Sequence, residues 1–188
     1  MSTVADGILS TTGFYEPGQL RHVAINLFYG WGYNFYRREN QLRADDQLVR
    51  AKAAWLLGLA HTSLQAAEQG YRRDHLPAPT RAKPFPDAAA VEGCQRLERF
   101  AGQVSALVGR LHSLPVPEND RLTQRYRNEA ATLAHLGDID HQLVGQAELL
   151  RASLDGRTGE WVLENLAALE AGVTAIAETV RERQAALT

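Results

Sequence analysis

Apolar residues recur every three or four positions along most of this chain, which is the signature of helices with one buried stripe. The clearest case is the last stretch, where Val162, Leu166, Leu169, Val173, Ile176, Val180, Arg183 and Leu187 succeed one another at an average step of 3.5. That step predicts shallow, left-handed crossing, as in bundles and coiled coils. Upstream, Leu122, Tyr126, Glu129, Leu133, Leu136, Asp140, Leu143, Ala147, Leu150 and Leu154 form a second seam. Cys94, Leu97, Ala101, Val104, Val108 and Leu111 form a third. In the first long segment Leu42, Val49 and Leu56 recur at sevens, and Leu59, Ala60, Ala66 and Ala67 fill the adjacent stripe. No alternating strand pattern competes with these.

The punctuation between stripes sets the boundaries. Residues 1–18 carry Gly7, Gly13, Pro17 and Gly18 and read as an irregular N-terminal arm. Helices are expected over about 19–74, 88–114, 120–154 and 159–187 in a single domain, 19–188. Pro77, Pro79, Pro84 and Pro86 exclude a helix between the first two and make a stiff crossover there, with Asp87 placed to cap the second helix. Pro115 and Pro117 stop that second helix, and Asp155-Gly156 ends the third. The expected fold is therefore all-α: an elongated antiparallel four-helix bundle with long helices and a Pro-rich crossover after the first.

Composition excludes several function classes. Of 188 residues, 45% are hydrophobic and 22% charged, and the net charge is −2. Residues 1–87 carry 10 basic and 8 acidic side chains and residues 88–188 carry 10 and 14. That asymmetry is too weak to steer nucleic acid. The longest apolar run, Ala53 to Ala60, is far short of the roughly 20 residues a spanning helix needs. No signal-peptide pattern opens the chain. The single cysteine, Cys94, rules out an internal disulfide and sits at an apolar position, as a small buried hydrophobe would. A cytoplasmic location is the expectation.

One stretch departs from the ordinary. Six of the chain's fourteen aromatic residues fall between Phe28 and Tyr36, interrupted by Gly30 and Gly32 and succeeded by Arg37 and Arg38. On a helix six aromatics in nine residues cover most of the circumference, so they cannot all face one interior. Trp, Tyr and Arg dominate interface hot spots, and glycines let another backbone approach closely. Phe28, Tyr29, Trp31, Tyr33, Phe35, Tyr36, Arg37 and Arg38 are therefore expected to meet a protein partner or a second copy. As an alternative they form a pocket wall for a small flat ligand.

Two further constellations carry candidate chemistry. His135, Asp138 and His141 are each one helical turn apart, with the carboxylate flanked by two imidazoles, a set that could hold a divalent transition metal or small cofactor. The Asp138-x-x-His141 spacing occurs once, whereas carboxylate-bridged metal bundles need it twice. Glu129 and Asp140 interrupt the apolar seam of the third helix, about 16 Å apart along the axis. A buried carboxylate without a partner is strongly unfavourable, so each should be met by an Arg, Tyr or His from another helix and help to fix register. The chain has no phosphate-binding glycine loop, no Gly-x-Ser-x-Gly elbow, no His-Glu-x-x-His and no Cys-x-x-Cys. Together these features favour a non-catalytic accessory subunit that self-associates or docks to a larger assembly.

Overall fold

The structure, a computed structural model, describes residues 42–114 and 129–187, with side chains placed over 47–114 and 134–186. Among the described residues every regular element is a helix: α1 (Leu42–His75), α2 (Ala88–Ser113), α3 (Glu129–Leu154), α4 (Gly159–Glu164) and α5 (Leu166–Leu187). The four long helices pack into an all-α bundle. None is long and apolar enough to cross a membrane.

α1 is the hub. It packs against α2 on one side and α3 on the other, α3 packs against α5, and α2 and α5 close the remaining side over a shorter seam. Links at both ends show that α1 and α2 run antiparallel. Arg50, near the start of α1, donates from Nη1 to the carbonyl of Leu114 at 2.7 Å. Near the other end of α1, Arg72 reaches Glu98 on α2. α1 and α3, in contrast, run the same way: Lys52 feels the charge of Glu148, while the last turns of α1 meet the residues just after α3. Parallel neighbours are possible because α2 and the segment after it separate them in the chain.

Serving two neighbours forces α1 to be apolar over a wide arc. Val49, Ala53, Leu56, Leu57, Ala60, Leu64 and Ala67 are all buried. Small residues at 53, 60 and 67 let the flanking helices come close, and Phe100 and Leu97 of α2 and Leu143 and Leu150 of α3 complete the core. Each buried Leu contributes about 1.5–3 kcal/mol before entropic costs. The stripe expected around Val49 and Leu56 is narrower than the sequence suggests at two places. Leu59 and Ala66 are exposed, because α2 and α3 occupy the arc marked by Val49, Leu57 and Leu64 and these two residues point to the opposite side.

Local chemistry sets the ends. The Asp87 carboxylate accepts from the Ala89 amide at 3.0 Å and starts α2 after the Pro-rich crossover. Within that crossover Thr80 and Lys83 exchange two backbone hydrogen bonds of 3.1 Å, closing a small exposed turn. Just past the end of α3 the chain turns at Gly156, whose φ of +66° is the left-handed conformation that glycine adopts without penalty. Thr158 caps the next helix through the Trp161 amide.

The final helix is not continuous. Asn165 separates α4 from α5 in a non-helical conformation, φ −104° and ψ 9°. Its side-chain amide and its backbone N–H both donate to the Trp161 carbonyl, and its own carbonyl accepts from Ala168 and Leu169. An asparagine side chain competes here for backbone groups that a continuous helix would use, so one helix closes and the next opens at the same residue.

Tyr71 locks the corner where α1, α2 and α4 meet. A Cβ added at Gly93 would lie 2.5 Å from the Tyr71 hydroxyl oxygen and 2.8 Å from Cζ. One added at Gly159 would lie 2.5 Å from Tyr71 Cβ and 2.9 Å from the Ala67 carbonyl oxygen. Two glycines from different helices thus form the notch that admits the ring. Gly159→Ala should destabilise the fold by about 1–3 kcal/mol, because its obstacles are backbone and Cβ atoms. Gly93→Ala meets only the far end of the ring. Its cost should largely vanish in a Tyr71→Ala background, whereas that of Gly159→Ala should persist, as denaturant melts of the single and double variants would report.

Candidate functional site

A buried ion pair joins α3 to α5. Asp140 on α3 and Arg183 on α5 are each 2% exposed. Arg183 Nε donates to Asp140 Oδ1 at 2.5 Å and Nη2 to Oδ2 at 3.4 Å, a two-pronged contact suited to the planar guanidinium. Both residues occupy the apolar seams of their helices. A shift of one turn in either helix would leave a buried charge against aliphatic groups, which costs several kcal/mol, so the pair fixes the relative register of α3 and α5. Glu129 opens α3, but its side chain lies outside the described residues, as do Leu122 and Tyr126.

The three residues of the candidate metal set go separate ways. His135 is exposed with Nε2 4.0 Å from Glu182 of α5. His141 donates from Nδ1 to the Gly137 carbonyl at 2.6 Å, folding back onto its own helix. Asp138 is exposed. Among the described residues no group of three His, Cys, Asp or Glu side chains is arranged to hold a metal ion. Cys94 is buried, and loss of solvent pushes its thiol up from the ordinary value, with Arg72 pulling the other way. The aromatic stretch, Phe28, Tyr29, Trp31, Tyr33, Phe35, Tyr36, Arg37 and Arg38, lies outside the described residues.

Two surface features are not evident from the sequence. The first is a groove of about 320 Å³ between the last turns of α1 and the turn into α4, lined by Ala66, Gly70, Arg73, Arg157, Gly159 and Glu160 among others. At its end His75 and Glu160 are joined at 2.5 Å, and the His75 ring lies 4.3 Å from that of Tyr71. The His75 hydrogen bond holds the Glu160 carboxyl below its usual range, helped by a backbone amide and the Thr158 hydroxyl. Local spacing cannot reveal this pair, since 85 residues separate its members.

The second is the outer face of α1. From Gln47 to Gln69, about 33 Å along the axis, every exposed side chain is uncharged. Leu48 is 40% exposed, Trp55 53% and Leu59 38%, with Ala51, Thr62 and Ala66 between and beyond them. Lys52 is nearly buried, its ammonium 4.1 Å from the Trp55 ring centroid, and burial lowers its pKa. The Thr62 hydroxyl donates to the Gly58 carbonyl at 3.0 Å. Solvent-facing surfaces of helices are ordinarily charged, so an uncharged strip of this length is unusual. It is obscured in the sequence because the apolar residues of both faces merge into one dense run.

No family model matches the chain, and comparisons with curated proteins and with solved structures return no match.

Two measurements check these arrangements. Arg183→Met alone should cost about 3–5 kcal/mol in a denaturant melt by stranding the Asp140 carboxylate, while the double variant Asp140→Leu/Arg183→Met should recover most of that loss. The Glu160 pKa is lower folded than unfolded. Its stabilisation is therefore complete above the ordinary carboxylate range and disappears as pH falls through the depressed folded value. Both partners are partly exposed, which limits the effect to under about 1 kcal/mol. Thermal melts across that acid window should fall more steeply for the wild type than for Glu160→Gln.

Proposed function

We propose that this protein is a non-catalytic helical-bundle subunit that associates with itself or docks to a larger protein assembly, using the aromatic–glycine stretch 28–38 as a docking surface with Trp31, Tyr33 and Tyr36 as anchors. The observation that carries this reading is the uncharged outer face of α1, where Leu48, Trp55 and Leu59 stand well exposed. α1 comes soon after that stretch in the chain, so a sequence rich in contact-forming side chains leads directly into the helix that bears this uncharged face. An uncharged helix face of this length, with large apolar side chains on it, suits contact with a second molecule. The density of Tyr, Trp and Arg in 28–38 supports the same reading, since these side chains combine large contact area with a polar handle.

The test is the mass of the purified full-length chain by light scattering, together with the proteins it retains in a pull-down. The wild type should run above the 20.8 kDa protomer or hold a stoichiometric partner. The triple variant Trp31→Ala/Tyr33→Ala/Tyr36→Ala should lose that association while keeping its helical circular dichroism. A wild type that runs at the protomer mass and is indistinguishable from the triple variant in what it retains would refute the proposal.

A further inference from the structure

We propose that the crossover between α1 and α2, residues 76–87, docks to a protein module that reads polyproline II segments. Phe85, between Pro84 and Pro86, enters an aromatic-lined groove on that module, and Arg81 and Lys83 face carboxylates beside it. This goes beyond the assembly reading and does not rest on it, since no residue of 28–38 takes part.

The crossover is longer than its task. α1 and α2 are antiparallel neighbours, and Tyr71 of α1 already fills the space at Gly93 of α2. Helix–helix connections in bundles usually take about 2–8 residues. This one takes the twelve between His75 and Ala88. The extra chain does not fold back on the bundle: every residue from Pro77 to Ala89 is exposed, and Phe85 is 84% exposed. Nor is it a spacer. Stiff proline-rich spacers hold apart elements that would otherwise meet, and here the helices on either side are in contact.

Its shape is set in advance. Lys83 and Phe85 each precede a proline, which drives them to extended backbone, and Pro84 and Pro86 have φ fixed by their rings. Asp87 follows at φ −66° and ψ 127°. Residues 83–87 thus run in or near polyproline II conformation. Just upstream, the Lys83 amide donates to both the carbonyl and the hydroxyl oxygen of Thr80 at 3.1 Å, closing the turn that carries Arg81. The prolines and this turn remove freedom that a flexible loop would lose on binding, so little ordering cost opposes contact. Between His75 and Asp87 the only charged side chains are Arg81 and Lys83. The matching groove is therefore lined by aromatic rings, which stack on the prolines and on Phe85, and flanked by Asp or Glu. A lipid surface is a poorer match, because one ring and two cations fall short of the two strong signals that stable membrane anchoring takes.

The test presents the purified full-length chain to immobilised, purified domains of the SH3, WW and EVH1 types, and measures affinity at low and at high salt. At least one domain should bind in the micromolar range. Phe85→Ala, and separately Pro84→Ala/Pro86→Ala, should weaken that binding about tenfold or more. Arg81→Glu/Lys83→Glu should weaken it and remove its salt dependence. All these variants should keep the wild-type melting temperature and circular dichroism, because the segment does not pack on the bundle. The Trp31→Ala/Tyr33→Ala/Tyr36→Ala variant should bind as the wild type does, which separates this contact from the assembly reading. Retention of no domain overturns the proposal, as does binding that survives Phe85→Ala. A melting temperature that falls in Phe85→Ala also overturns it, by placing the ring inside the fold. Binding of the wild type to vesicles of equal parts phosphatidylcholine and phosphatidylglycerol, lost in Phe85→Ala, overturns it in favour of a lipid surface.

Discussion

The bundle depends on the ability of α1 to face two helices at once. Its small residues at 53, 60 and 67 bring α2 and α3 close, and its leucines at 56, 57 and 64 fill the space between them. Most of the described core touches this helix or a helix packed on it. The arrangement is compact in sequence but leaves little freedom, because a helix with contacts over half its circumference cannot rotate to suit either neighbour. The long-range bond from Arg50 to the Leu114 carbonyl and the Tyr71 corner hold the two ends of the α1–α2 hairpin in place.

Polar contacts in the interior specify rather than glue. The Asp140–Arg183 pair gains little over well-packed aliphatic side chains, since both charges must leave water. Its value is that wrong registers of α3 and α5 become strongly unfavourable. Apolar seams alone slide easily, because one leucine resembles the next. A single charged pair set into two such seams gives them one preferred alignment.

How much of this is legible in the sequence varies with the range of the interaction. Helical character, the proline crossover, the Asp87 cap and the turn at Gly156 are local effects written in neighbouring residues. The seams place Asp140 and Arg183 on buried faces, yet periodicity has no means of pairing residues 43 positions apart. The break at Asn165 escapes it because the apolar spacing runs through that residue without interruption. A side chain returning to the Trp161 carbonyl interrupts the backbone but not the hydrophobic pattern. The outer face of α1 is hidden for the opposite reason: Leu59 and Ala66 fit a widened inner stripe as well as a separate outer one, and only the positions of α2 and α3 decide between them. His135, Asp138 and His141 do step by one turn each along α3, but spacing fixes only where side chains leave the helix, and His141 bonds to its own backbone.

The glycine notch around Tyr71 also bears on how this sequence can change over time. Positions 71, 93 and 159 come from three separate helices and share one small volume. Position 93 can accept a larger residue only after 71 has shrunk. Position 159 is held more tightly, since part of what it meets is main chain. Drift at positions 71 and 93 must therefore obey an order, with the ring yielding first, and chains descended from a common ancestor should show these two sites changing together while position 159 stays small.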